Sequence, residues 1–236
     1  MNNSSTDNQK EKSSDLFSVS DKVYEYLKKA INKCRYIPGD KVSENEIARD
    51  FEVSRQPVRE ALIRLASDDF VQIKPKSPTR VKKISRNKLY QNCEIRGALE
   101  AYAISKAMQI ANRQELVDKL NEILKKQITA SLENDLRTHI ELDDLFHKTI
   151  IVASGLPRIW DLVQEFKGGM DRIRYLSISY TESPMKITNQ HHKAIINAIA
   201  TGDIRIASDV ITQHIDFTKN ALKRIIDISR QKYFED

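Results

Sequence analysis

Glycine is scarce in this 236-residue chain: only Gly39, Gly97, Gly155, Gly168, Gly169 and Gly202 occur. They never gather into a phosphate-cradling loop, so neither a Walker nor a dinucleotide-binding fingerprint is present. That weighs against nucleotide-dependent enzymes. No run of about 18 apolar residues exists, as a membrane-spanning helix would need. The opening "MNNSSTDNQKEKSSD" lacks the apolar core of a secretory signal, and residues 1–16 read as a disordered tail. The two cysteines, Cys34 and Cys93, follow no metal or redox spacing and suit reduced thiols in a cytoplasmic protein.

What is present is ordinary for a globular protein: 40% hydrophobic and 31% charged residues, with a net charge of +6. The charge is uneven. Residues 21–83 hold 15 Lys and Arg against 10 Asp and Glu, a basic excess of the kind phosphate contacts require. An ordinary solvated basic face would give the same count.

Helical periodicity predicts a first helix over about 18–33, with Val23, Tyr26, Leu27, Ala30 and Ile31 on its apolar stripe. Pro38-Gly39-Asp40 turns the chain. Ser43 and Glu46 form a capping-box pattern for a short helix ending near Phe51. Ser54 is placed to cap the next helix, to about Ala66, where Pro57 is tolerated in the first turn. Two short strand-like runs, "FVQI" and "TRVKKI", follow, joined by "KPKSP". This is the order of a winged helix-turn-helix. Ala48 is small enough for close helix packing, while Ile47, Val53, Val58, Leu62 and Leu65 supply a small core. Arg55, Gln56 and Arg59 point outward from the start of the third helix, whose N-terminal N–H groups favour phosphate.

From Ser85 onward the pattern is helical almost throughout. Six helices are expected, roughly over 86–111, 114–132, 135–153, 157–180, 184–200 and 203–232, with breaks at Asn112, Asn134, Gly155, Pro184 and Gly202. Long amphipathic helices with short connections imply an antiparallel bundle. The expected fold is mainly α: a winged helix-turn-helix over 17–84, then an all-α bundle of six helices over 85–236.

The segment "IPGDKVSENEIARDFEVSRQPVREALIRLASDDFVQI" resembles the signature of the GntR family of bacterial transcription regulators. The resemblance implies that Arg55 and Arg59 contact bases or phosphates, that Ser54 and Gln56 touch backbone or base edges, and that Glu44 braces an arginine. Arginine suits this place because it can grip guanine O6 and N7 bidentately. Three departures stand out. Asn45 occupies a position where the family often has arginine. Glu52 replaces a turn glycine, at a cost if its φ is positive. The wing lacks glycine but is basic, and Lys76 or Arg80 can reach the DNA backbone or minor groove.

All five histidines, His139, His147, His191, His192 and His214, fall in the helical region. Asp143 and His147 are spaced i, i+4, on one helix face. Further histidines on the fifth and sixth bundle helices could bring one carboxylate and three imidazoles together. Such donors suit a divalent ion, zinc first, with nickel, manganese and iron as alternatives. Spacing alone leaves open that these histidines are simply buried or exposed. However, "ELDDLFHKTIIVASGLPRI", "HHKAIINAIATGD" and "ASDVITQHI" are similar to the metal-ligand segments of the FCD (FadR C-terminal) domain. That resemblance gives the ligand set Asp143, His147, His192 and His214. His191 sits about 100° round its helix and is left out; His139 reads as a surface residue or one behind the ligands.

"EIRGALEAYAI" is similar to another segment of that domain and makes Arg96 a candidate for an effector carboxylate. An internal ion pair with Glu100 is the alternative, and Glu100 could also position Arg96 for the effector. Six bundle helices suggest the shorter, VanR-like subgroup. The family further implies a homodimer on a pseudo-palindromic DNA operator, in repression relieved by a small organic acid at the metal. A metal-dependent enzyme using the same cluster, or a pure metal sensor, is the rival reading.

Overall fold

The computed structural model describes residues 18–177, 185–228 and 232–235. The expected tail at 1–16 lies outside the described residues. The chain divides into two compact units between Lys83 and Ile84.

In the first unit, α1 (Val19–Asn32) opens on a reciprocal capping box: Asp21 N–H donates to the Ser18 hydroxyl, and the Asp21 carboxylate accepts from Ser18 N–H. Its inner face is Val23, Tyr24, Leu27, Ala30 and Ile31. Tyr24, not Tyr26, completes the stripe. The two tyrosines flank the apolar face almost symmetrically. Tyr24 is drawn in because its hydroxyl donates to Asp68 and its ring carries the Arg64 guanidinium at 4.3 Å. Tyr26 stays 45% exposed, edge-on to Phe51.

α2 (Glu44–Asp50) is capped by Ser43, whose hydroxyl accepts from Glu46 N–H at 3.3 Å. The turn after it holds Glu52 at φ 55°, the strained sign for a residue with a Cβ. α3 (Arg55–Ser67) follows. Ser54 stands at its N-cap, but its hydroxyl makes no capping bond. The wing is β1 (Val71–Gln72) paired antiparallel with β2 (Arg80–Val81). Ile47, Ala48, Val58, Leu62, Leu65, Val71 and Val81 close the core around α1, and Val53 is only partly buried.

The second unit begins with β3 (Ile84–Ser85). It continues through α4 (Arg86–Ala107), α5 (Arg113–Leu132), α6 (Leu136–Ala153), α7 (Arg158–Phe166), α8 (Gly168–Ser177), α9 (Met185–Thr201) and α10 (Ile204–Ile228), and ends on β4 (Phe234–Glu235). The helix expected over 157–180 is therefore two, and the described bundle has seven helices, not the six that suggested the shorter subgroup. The break falls at Lys167, ahead of Gly168-Gly169, where glycine weakens helix continuity. A Cβ built on Gly169 would lie 3.7 Å from Ile84 and Leu89, so a short residue there lets α8 sit close to the start of the unit. The final helix does not reach 232; β4 instead pairs in parallel with β3, Ile84 opposite Phe234.

α5 packs on α6 and α9, and α10 on α4 and α9. Ile104, Leu116, Leu120, Leu124, Phe146, Ile150, Ile195, Ile199 and Ile211 make the bundle core. Among the described residues no helix is long and apolar enough to cross a membrane.

Candidate functional site

Two places carry the expected residues. On the first unit, Ser54, Arg55, Gln56 and Arg59 are all exposed around the first turn of α3. Arg55 reaches Glu44 of α2 at 3.3 Å, and Gln56 donates to Glu60 at 2.9 Å. An exposed pair of this kind contributes at most about 1 kcal/mol, so Arg55 can exchange it for a phosphate or a base. In the wing, Lys76 is exposed at φ 55°, while Arg80 donates to the carbonyl of Gly39 at 2.8 Å.

The second place is inside the bundle. Asp143 and His147 come from adjacent turns of α6, His192 from α9 and His214 from α10, and each is at most 3% exposed. One donor atom from each lies within 4.8 Å of all the others. His147 Nε2 is 3.1 Å from His214 Nε2; Asp143 Oδ1 is 3.4 Å from His192 Nε2 and 3.9 Å from His147 Nε2. Bonds of about 2.0–2.2 Å to a shared ion would place neighbouring donors roughly 3–4 Å apart. The donors fit a divalent cation. His192 Nε2 adds a second sign: it is buried and makes no hydrogen bond, an arrangement that costs free energy unless something occupies it.

Electrostatics favours the forms a metal needs, neutral imidazole and ionised carboxylate. Burial lowers His192 to about 4 and holds His214 well below the ordinary imidazole value. For Asp143, burial acts upward, but Arg174 and then the neighbouring imidazoles hold it well below the usual carboxylate range.

Behind the donors stands a layer of partners. His147 Nδ1 donates to Glu100, which also accepts from Arg96 Nε at 2.5 Å. Burial alone would raise Glu100, yet Arg96 and His147 bring it down to about 2. The Arg96–Glu100 pair is thus present, and it reaches the cluster through His147. His192 Nδ1 donates to Gln127 Oε1 at 2.7 Å, and Gln127 in turn donates to the carbonyl of His139 at 3.5 Å. His139 is buried against Asn189, so it is no surface residue. His191 stands beside His214, at 5.7 Å between rings, outside the donor set. Arg174 of α8 donates to Asp143 Oδ2 at 2.6 Å.

Sequence reasoning missed Gln127 and Arg174. Gln127 had a signal, because it follows Leu120 and Leu124 on the buried stripe of α5, where a polar residue needs a partner. Arg174 had none; "DRIR" reads as a solvated charge run.

Residues 19–81 match the bacterial regulatory proteins of the gntR family, and residues 91–217 match the FCD domain. The chain belongs to the GntR family, with an FCD domain. It is 31% identical over 207 residues to the HTH-type transcriptional repressor RspR of Escherichia coli strain K12, covering 88% of this chain and 90% of that one. The Nta operon transcriptional regulator of Aminobacter aminovorans is 29% identical over 163 residues, 69% of this chain and 75% of that protein. Among solved structures, Escherichia coli McbR/YncC has the same fold, with a TM-score of 0.75 at 21% identity over 89% of this chain and 99% of that one. This GntR-family chain is accordingly a transcription regulator with a DNA-binding helix-turn-helix, not an enzyme.

Proposed function

We propose that this GntR-family regulator represses transcription as a homodimer, and that a small organic acid bound at a divalent metal in the FCD domain controls its hold on operator DNA. The observation that carries the control is the buried convergence of Asp143, His147, His192 and His214. Zinc suits three imidazoles and one carboxylate best, though nickel, manganese and iron accept the same donors. When bound, the ion supplies Lewis acidity for an anionic ligand. Glu100 holds His147 from behind and pairs with Arg96, positioning the Arg96 guanidinium to take an effector carboxylate near the cluster.

On the DNA side, Arg55 and Arg59 read base edges or phosphates from the α3 N-terminus, with Ser54 and Gln56 beside them and Glu44 steering Arg55. Lys76 and Arg80 serve the wing. A two-fold protein presents two such heads to a pseudo-palindromic operator. Effector binding that favours one arrangement of the dimer then shifts operator affinity by the difference in its affinity for the two arrangements.

The test is operator binding by the purified protein on DNA upstream of its own gene, at several salt concentrations, with metal content measured in the same sample. Sequence-specific, salt-sensitive binding released by one pool of organic acids, with about one metal per chain, is the expected result. Specific binding that responds to metal but to no acid would replace the reading with a metal sensor. A folded protein with neither metal nor specific binding would overturn it.

A further inference from the structure

The geometry points to Arg174 as the residue that positions the carboxylate ligand of the metal cluster, an inference that rests on the metal-site reading above. Asp143 presents its two oxygens to different partners. Oδ1 faces His192 and His147, at 3.4 and 3.9 Å, while Oδ2 accepts from the Arg174 guanidinium at 2.6 Å. With Oδ2 engaged by one arm of the guanidinium while the other arm faces Asp144 and Asp171, Asp143 offers one oxygen to an ion and its second oxygen is held away from it. The cluster thus provides three nitrogens and a single oxygen.

Arg174 is itself held. Its other terminal nitrogen faces Asp144 at 3.5 Å and Asp171 at 3.8 Å. Lys167 bridges the same two carboxylates, binding Asp144 and lying 3.2 Å from Asp171. Two cations of the α7–α8 segment are therefore interleaved with Asp143 and Asp144 of α6 and Asp171 of α8, largely out of water. An arginine seated this way has one orientation available, and it passes that orientation to Asp143. Metal ligands are commonly oriented by such outer partners, whose loss weakens metal affinity roughly 10–100-fold. Arg174 touches no ion; it acts through Asp143.

The experiment uses the full chain loaded with Co2+ and compares wild type with Arg174→Met, Arg174→Lys and Asp171→Asn. Folding is followed by circular dichroism, affinity by competition with a chelator, and ligand geometry by the visible Co2+ spectrum. Arg174→Met is expected to weaken Co2+ binding about 10–100-fold and to change the spectrum. Arg174→Lys should recover part of the affinity, since it restores charge without the fork. Asp171→Asn should produce a smaller shift of the same kind. Folded Arg174→Lys and Asp171→Asn proteins with wild-type affinity and spectrum would overturn the role, even if Arg174→Met fails to fold. A wild type that takes up no Co2+ would overturn the metal reading itself and this role with it.

Discussion

Gln127 Oε1 stands 2.7 Å from His192 Nδ1, and both side chains are buried. Because an amide oxygen only accepts, this contact places the His192 proton on Nδ1 and turns the lone pair of Nε2 toward Asp143 and the other imidazoles. Glu100 does the same for His147. Replacing Gln127 by leucine keeps the bulk but frees the tautomer of His192. Metal affinity is expected to fall about 10–100-fold, read by chelator competition, with helix content unchanged. Undiminished affinity would mean that the amide only fills space.

Acid should destabilise the metal-stripped protein in a defined window. Burial lowers His192 to about 4 and His214 well below its ordinary value. The unfolded chain binds protons near pH 6.5 that the folded chain refuses, so stability rises with pH there and is lost as pH falls from about 6.5 toward 4. His192 alone then removes roughly 2 kcal/mol by pH 5. Asp143 and Glu100 are also depressed in the fold, but their contribution is lost only below the ordinary carboxylate values near 4. Thermal unfolding of metal-free protein at pH 7.5 and pH 5 should show a clearly lower Tm at pH 5. An equal or higher Tm would contradict the buried, neutral imidazoles.

Much of this was legible in the sequence where local pattern and chemistry coincide. The helix-turn-helix followed from Ser43, Ala48, Ser54 and the spacing of Val58, Leu62 and Leu65, which are all short-range signals. The expected donor set, four ligands on three helices distant in sequence, came from resemblance to a family; spacing alone left it open. What stayed hidden depends on tertiary partners. Tyr24 displaced Tyr26 because Asp68 and Arg64 wait for it on another element. The break at Lys167 arises where a glycine pair meets a lysine bound by two carboxylates. The pairing of Ile84 with Phe234 joins residues 150 positions apart, and no local propensity announces a two-residue parallel bridge.

Arg55 and Arg59 are separable on the DNA. Arg59 is exposed on α3 beside Arg55, whose guanidinium already leans on Glu44. If Arg59 grips a base edge, Arg59→Ala costs about 1–3 kcal/mol at one operator position and relaxes specificity there; if it grips a phosphate, affinity falls on every sequence and the salt slope drops by about 1. Titrations on operator and scrambled DNA at several salt concentrations tell the two apart. The double variant Arg55→Ala, Arg59→Ala should lose specific binding while keeping its metal content, since both residues lie in the other unit from the cluster. Specific binding that survives the double change would remove α3 as the reading helix.

Glu52 tests whether the DNA-binding unit carries avoidable strain. Its φ of 55° lies in the left-handed region, where a side chain with a Cβ costs roughly 1–2 kcal/mol. The conformation is imposed by the turn: Glu52 N–H donates to the carbonyl of Arg49 and Val53 N–H to that of Ala48, closing α2 before α3 begins. Glycine adopts this φ freely but gives the unfolded chain more freedom, which offsets about 0.5–1 kcal/mol of the relief. Glu52→Gly should therefore stabilise the first unit by roughly 0.5–1 kcal/mol, seen as a higher denaturation midpoint at unchanged slope. Because the glutamate is exposed and stands only two residues before the Ser54 N-cap of α3, losing its negative charge should leave operator affinity unchanged or raise it slightly. A destabilised variant would show that Glu52 makes a compensating interaction worth more than the strain it bears.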